Sequence, residues 1–96
     1  MIEVDCEVLR TFRDSDGESF VRVQQTTWES WYYGRGAELN GCPLAPEVPW
    51  VERPPSPDDW GFLVYDFHLL NPDDLDRFVP GSHVMFRPGI PQWVRP

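Results

Sequence analysis

Apolar and polar residues alternate through residues 2–13. Ile2, Val4, Cys6, Val8 and Phe12 fall on one side against Glu3, Asp5, Glu7, Thr11 and Arg13, and Arg10 interrupts the inner side. A period of two marks a half-buried β-strand. Asp14-Ser15-Asp16-Gly17 follows, a tight turn in which short polar side chains bond the backbone and Gly17 can take a positive φ. The chain then returns through Phe20, Val21 and Val23 towards Thr27, so residues 2–27 are expected to form a β-hairpin.

A second patterned stretch runs from residue 60 to residue 86. Over 62–70, Leu63, Tyr65, Phe67 and Leu69 share a wholly apolar face, while Phe62, Val64, Asp66, His68 and Leu70 begin apolar and turn polar. Asn71 stands at an N-cap position with Pro72 first in the helix and Asp73 and Asp74 near its positive end, which predicts a short helix. Leu75, Phe78 and Val79 give that helix an apolar side, and Pro80-Gly81 stops it. Val84 and Phe86 are then expected inward, with His83, Met85 and Arg87 outward and Pro88-Gly89 ending the strand.

Between these stretches Trp28-Glu29-Ser30-Trp31-Tyr32-Tyr33-Gly34-Arg35-Gly36 holds four aromatic residues in six positions. As a strand it sets Trp28 and Tyr32 against Trp31 and Tyr33; as a helical turn it groups Trp28, Trp31 and Tyr32. The rings either cover the open end of a small core or form an exposed anchor patch, and periodicity does not choose. Residues 43–57 carry six of the eleven prolines, which remove ladder donors, so 43–59 reads as a long loop with Trp50 and Val51 tucked onto the barrel. After Phe86, Ile90, Trp93 and Val94 make a short closing edge strand.

Ninety-six residues are expected to form one domain spanning 1–96. Sixteen acidic residues against eight Arg and no Lys leave a net charge of −8, which opposes nucleic-acid binding. The given chain has no signal-like apolar run and no membrane-length apolar stretch, so a soluble cytoplasmic protein is expected. Cys6 and Cys42 read more readily as free thiols than as a bridge.

The order of hairpin, loop, strand, short helix, strand and closing strand predicts an all-β protein, a five-stranded OB-like or SH3-like barrel with one short helix between its third and fourth strands. Asp66-Phe67-x-Leu69-x-Asn71-Pro72-x-x-Leu75-x-x-Phe78-x-Pro80-Gly81-x-x-Val84-x-Phe86, with Trp60 ahead of it, resembles the CusF-like periplasmic copper-binding proteins of metal-efflux systems. The likeness covers about a quarter of the chain, mostly turn and core residues. It implies a small barrel and a Trp, matched by Trp60, that caps the metal. The family's two Met fall where Leu63 and Tyr65 stand, and neither His68 nor His83 lies at the family's His position, so the soft ligands that select Cu(I) are absent.

No pair among Cys6, Cys42, His68 and His83 has zinc-finger spacing, and no metal or cofactor is expected. Cys42 with either His and Asp66 carries no local nucleophile motif; Asp73, Asp74 and Asp76 are accounted for by the helix start. A non-catalytic protein-binding module of inhibitor, immunity or regulatory type is therefore expected, its surface acidic and its partner a protein of basic character. Trp28, Trp31, Tyr32, Tyr33, Arg35, Trp50 and Trp60 are the candidate contact residues. A metal- or small-ligand-binding barrel of the resembled family is the alternative, and a single-stranded nucleic-acid-binding OB domain the third.

Overall fold

The computed structural model describes residues 2–27, 31–46, 50–52 and 63–90, with the backbone alone for 50–52. Seven strands form one antiparallel sheet: β1 (Val4–Arg13), β2 (Ser19–Gln25), β3 (Glu38–Leu39), β4 (Cys42–Pro43), β5 (Trp50–Glu52), β6 (Val64–His68) and β7 (His83–Arg87), in the order β4-β3-β7-β1-β2-β6-β5. The sheet curls into a half-barrel. Its flanks meet where Leu44 bridges Leu69, through Ala45 N–H to His68 O at 2.9 Å and Leu70 N–H to Pro43 O at 3.1 Å. Among the described residues no helix is long and apolar enough to cross a membrane.

The first hairpin forms as its pattern requires. One Asp14 carboxylate oxygen accepts the N–H groups of Asp16 and Glu18, at 3.0 and 2.9 Å, and Gly17 takes φ 81°. The inner side of β1 ends early, however. Register runs Val8↔Val23 and then Arg10↔Arg22, so Leu9 is an extra residue, a β-bulge that exchanges the faces beyond it. Arg10 and Phe12, expected inward, therefore lie on the outer side with Arg22 and Phe20. The exchange removes a charge from the core at the cost of one unpaired backbone position. Ile2, also expected inward, is exposed.

β6 buries Tyr65, Phe67 and Leu69, while Leu63 at its start is exposed. The predicted helix is a six-residue 3₁₀ turn, Pro72–Arg77, whose Asn71 cap makes no side-chain hydrogen bond. Leu75 packs on the core and Phe78 is buried, but Val79 turns out to solvent. The helix ends at Arg77 and Phe78 is already extended, at φ −109° and ψ 121°, so 78 and 79 alternate as an extended chain does, one buried and the next exposed. Val84 and Phe86 are buried and His83, Met85 and Arg87 exposed, as their alternation requires.

The stretch read as a proline-rich loop holds structure at both described ends. Pro43 pairs with Glu38 in a tight hairpin, and Trp50–Glu52 runs beside β6 in the register Trp50↔Asp66 to Glu52↔Val64. Prolines are compatible with this because both strands are short and lie at the flanks of the sheet. Ile90 bridges Arg35, while the rest of the expected closing strand, Trp93 and Val94, lies outside the described residues. The core gathers Val4, Cys6, Val8, Val21, Val23, Leu39, Phe67, Leu69, Val84 and Phe86. Ser19 is buried with them, its hydroxyl bonded to Arg13 and to the Pro72 carbonyl.

Candidate functional site

The aromatic segment divides its rings as an extended chain does. Trp31 turns towards the core, its ring 4.7 Å from Phe86 and 5.0 Å from Tyr65 by centroid, and its indole N–H donates to Gln25 Oε1 at 3.2 Å. Tyr33 turns the same way, stacked on Phe86, with its hydroxyl donating to the Ala45 carbonyl at 2.5 Å. Tyr32, between them, is 67% exposed. Two rings of this segment therefore close an end of the core, and one is displayed. Trp28 and Trp60 lie outside the described residues, and Trp50 contributes the backbone of β5.

Beside Tyr32 lies a groove of about 550 Å³. Trp31, Tyr32, Ile2 and Ile90 supply apolar wall, and Arg35, Arg87 and Glu38 the charges. Three separate parts of the chain build it: the residues entering β1, the segment before β3, and the turn leaving β7. Their meeting is held by backbone pairing. Gly34 N–H donates to Pro88 O at 2.9 Å, Arg35 N–H to Ile90 O at 2.9 Å, and Ile90 N–H to Arg35 O at 2.8 Å. Gly89 makes the approach possible. At φ 83° it has no side chain, and a Cβ there would press on the carbonyl of Arg35 and stand 2.8 Å from the nitrogen of Ala37.

The charges of the groove differ in their engagement. Arg87 is tied to Glu3, with Nη2 2.7 Å from Oε1. Arg35 is exposed and has no ion-pair or hydrogen-bonding partner for its guanidinium among the described residues. Sequence reasoning named Trp31, Tyr32 and Arg35 but not Ile2, Arg87 or Ile90. The alternation put Ile2 in the core and Arg87 in solvent, and carried no sign that the two stand together.

A second cluster covers the outer side of β1, β2 and β6. Phe12 stacks on Phe20 at 5.3 Å, Phe20 on His68 at 4.8 Å, and the guanidinium of Arg10 lies 4.8 Å above the Phe12 ring. His68 Nε2 is 2.8 Å from Glu18. The bulge at Leu9 creates this cluster, which no local pattern foretold.

Asp5 accepts hydrogen bonds from the Thr26 hydroxyl and, at 2.9 Å, from His83 Nδ1. These contacts, that of Thr26 first, hold its carboxyl below the ordinary value against an opposing effect of burial. The order here is hydroxyl, carboxylate, imidazole. In a catalytic triad of hydroxyl, imidazole and carboxylate the imidazole lies in the middle; here the carboxylate does, and it orients both the Thr26 hydroxyl and the His83 ring. Cys6 and Cys42 are buried free thiols, and burial pushes that of Cys6 up to about 12. A thiol so protonated is a poor nucleophile and metal ligand. Among the described residues no three His, Cys, Asp or Glu side chains are grouped to hold a metal ion. In comparison with known proteins, the chain matches no family model, no curated protein and no solved structure.

Proposed function

We propose that the protein is a non-catalytic binding module, an OB-like or SH3-like small barrel of inhibitor, immunity or regulatory type that docks a partner protein at the groove beside Tyr32. One observation carries the reading: an apolar hollow of about 550 Å³ with Tyr32 and Ile90 displayed at its edge, 67% and 55% exposed. Trp, Tyr and Arg are the residues that dominate binding energy at interfaces, and backbone pairing beneath the groove lowers the ordering cost of docking. The net charge of −8 favours a partner of basic character, whose encounter it accelerates and whose affinity it makes dependent on salt.

The test is capture of partners from the native host by the intact chain and by Tyr32→Ala. Tyr32 serves better than Trp31, because truncating Trp31 would also open the core over Phe86 and Tyr65. The expected result is one or more proteins retained by the intact chain, lost with Tyr32→Ala and weakened as ionic strength rises. Retention untouched by Tyr32→Ala would overturn the groove as the docking site.

A second reading is favoured by the outer cluster. Phe12, Phe20 and His68 stack on one another beneath Arg10, so they would offer a base ring edges and a cation, parts of the surface that binds single-stranded nucleic acid, only where that stack opens. Binding of an oligonucleotide at low salt, abolished by Phe20→Ala, would support it; no binding under those conditions would dispose of it.

A further inference from the structure

The described arginines have settled partners, with Arg35 the exception. Arg10 lies over Phe12, Arg13 donates to Ser19, Arg22 is bound to Asp66, Arg77 to Asp74 and Arg87 to Glu3. In a chain with two acidic residues for every arginine, a guanidinium with no carboxylate, hydroxyl or ring against it among the described residues stands apart. Glu38 lines the same hollow and forms no ion pair with it. The root of Arg35 is nevertheless fixed, since its N–H and C=O both bond Ile90 at 2.9 and 2.8 Å. A planar, permanently charged donor is thus held at the edge of a preformed apolar hollow, where a carboxylate can take two of its N–H groups.

We infer that the groove takes a peptide segment of a partner protein that places a large apolar side chain beside a carboxylate. This rests on the docking function proposed above and specifies its chemistry. The apolar side chain enters between Ile2, Trp31 and Ile90, and the carboxylate pairs with Arg35. A phosphate suits the site poorly, because its second negative charge would need a second cation, while Arg87 is already engaged by Glu3 and Glu38 lines the same hollow. Glu38 at the same hollow selects against a second acidic residue, so the segment carries one carboxylate and is otherwise neutral or basic. That agrees with an acidic molecule that attracts a basic partner at long range and reads one acidic anchor at contact.

Fluorescein-labelled, amidated hexapeptides containing Phe-Glu, Phe-Gln or Gly-Glu serve as probes for the full-length chain. Binding is followed by anisotropy and by backbone amide shifts in NMR spectra. The Phe-Glu peptide is expected to bind, shifting amides at 34–37 and 87–90, and both counterparts to bind about tenfold or more weakly. Arg35→Gln should erase the difference between the Glu and Gln peptides, with the spectrum otherwise retained. Equal binding of Phe-Glu and Phe-Gln would overturn the carboxylate assignment and leave the docking reading standing. No peptide shifting the groove amides would overturn both. So would contacts showing the groove filled by the chain's own residues 91–96, or by a second copy through shifts that depend on protein concentration.

Discussion

Arg22 and Asp66 face one another as direct register partners on β2 and β6, joined at both ends of the fork: Nε to Oδ1 at 2.8 Å and Nη2 to Oδ2 at 3.0 Å. The pair sits on the outer side of the sheet at its middle, half-buried, where the guanidinium also lies 5.6 Å from the Phe12 ring. It links the hairpin to the strand that carries Tyr65 and Phe67 into the core.

Asp66→Asn keeps the shape of this contact and removes its charge. We expect a loss of about 1 kcal/mol in urea unfolding, and a coupling of similar size in a double-mutant cycle with Arg22→Gln. Both should shrink in high salt. An unchanged midpoint would show the pair to be idle.

Phe12 and Phe86 test the bulge. With Phe12 on the outer side, Phe12→Ala should cost about 1 kcal/mol, the value of its stacking on Phe20 and the guanidinium above it. Phe86→Ala, at 0% exposure among Trp31, Tyr33 and Phe67, should cost about 3–5 kcal/mol. Comparable losses for the two would mean that Leu9 does not exchange the faces.

Asp5 gives a dependence on pH with a definite sign. Its folded carboxyl is held below 3.8, first by the Thr26 hydroxyl and then by His83, so the stabilisation is present above the unfolded pKa and lost as pH falls through the folded one. Thr26→Val should raise the Asp5 pKa in a carboxyl ¹³C titration. Its destabilisation should be larger at pH 7 than in acid, shrinking as pH falls through the folded pKa and the carboxyl becomes protonated in both states.

Two glycines separate backbone conformation from close approach. Gly17→Ala meets open space and only the cost of a positive φ, about 1 kcal/mol. Gly89→Ala meets the backbone of 34–37 as well and should cost at least about 2 kcal/mol, with amide shifts centred on the groove. Thermal unfolding of the two variants decides the comparison.

Much of the sheet was legible because its signals are local. Asp14 and Gly17 specify a turn by their own bonds and φ, and the alternation through Tyr65, Phe67 and Leu69, then Val84 and Phe86, assigns those side chains to the core. Pro72 likewise marks the start of the short helix. These features depend on neighbours within a few residues, so a single strand of text contains them.

Only the tertiary structure decided the rest. The bulge at Leu9 answers to β2 across the ladder, and the pairing of Pro43 and of Trp50–Glu52 answers to β3 and β6, so neither Phe12 nor the proline-rich stretch could declare its place alone. The groove is the extreme case, since Ile2, Arg35 and Ile90 lie far apart in the chain and meet only when the backbone of 34–35 pairs with that of 88–90. Periodicity records which side of a strand a residue occupies. Which strands become neighbours is settled by register and curvature, because those depend on how the whole sheet buries its apolar side.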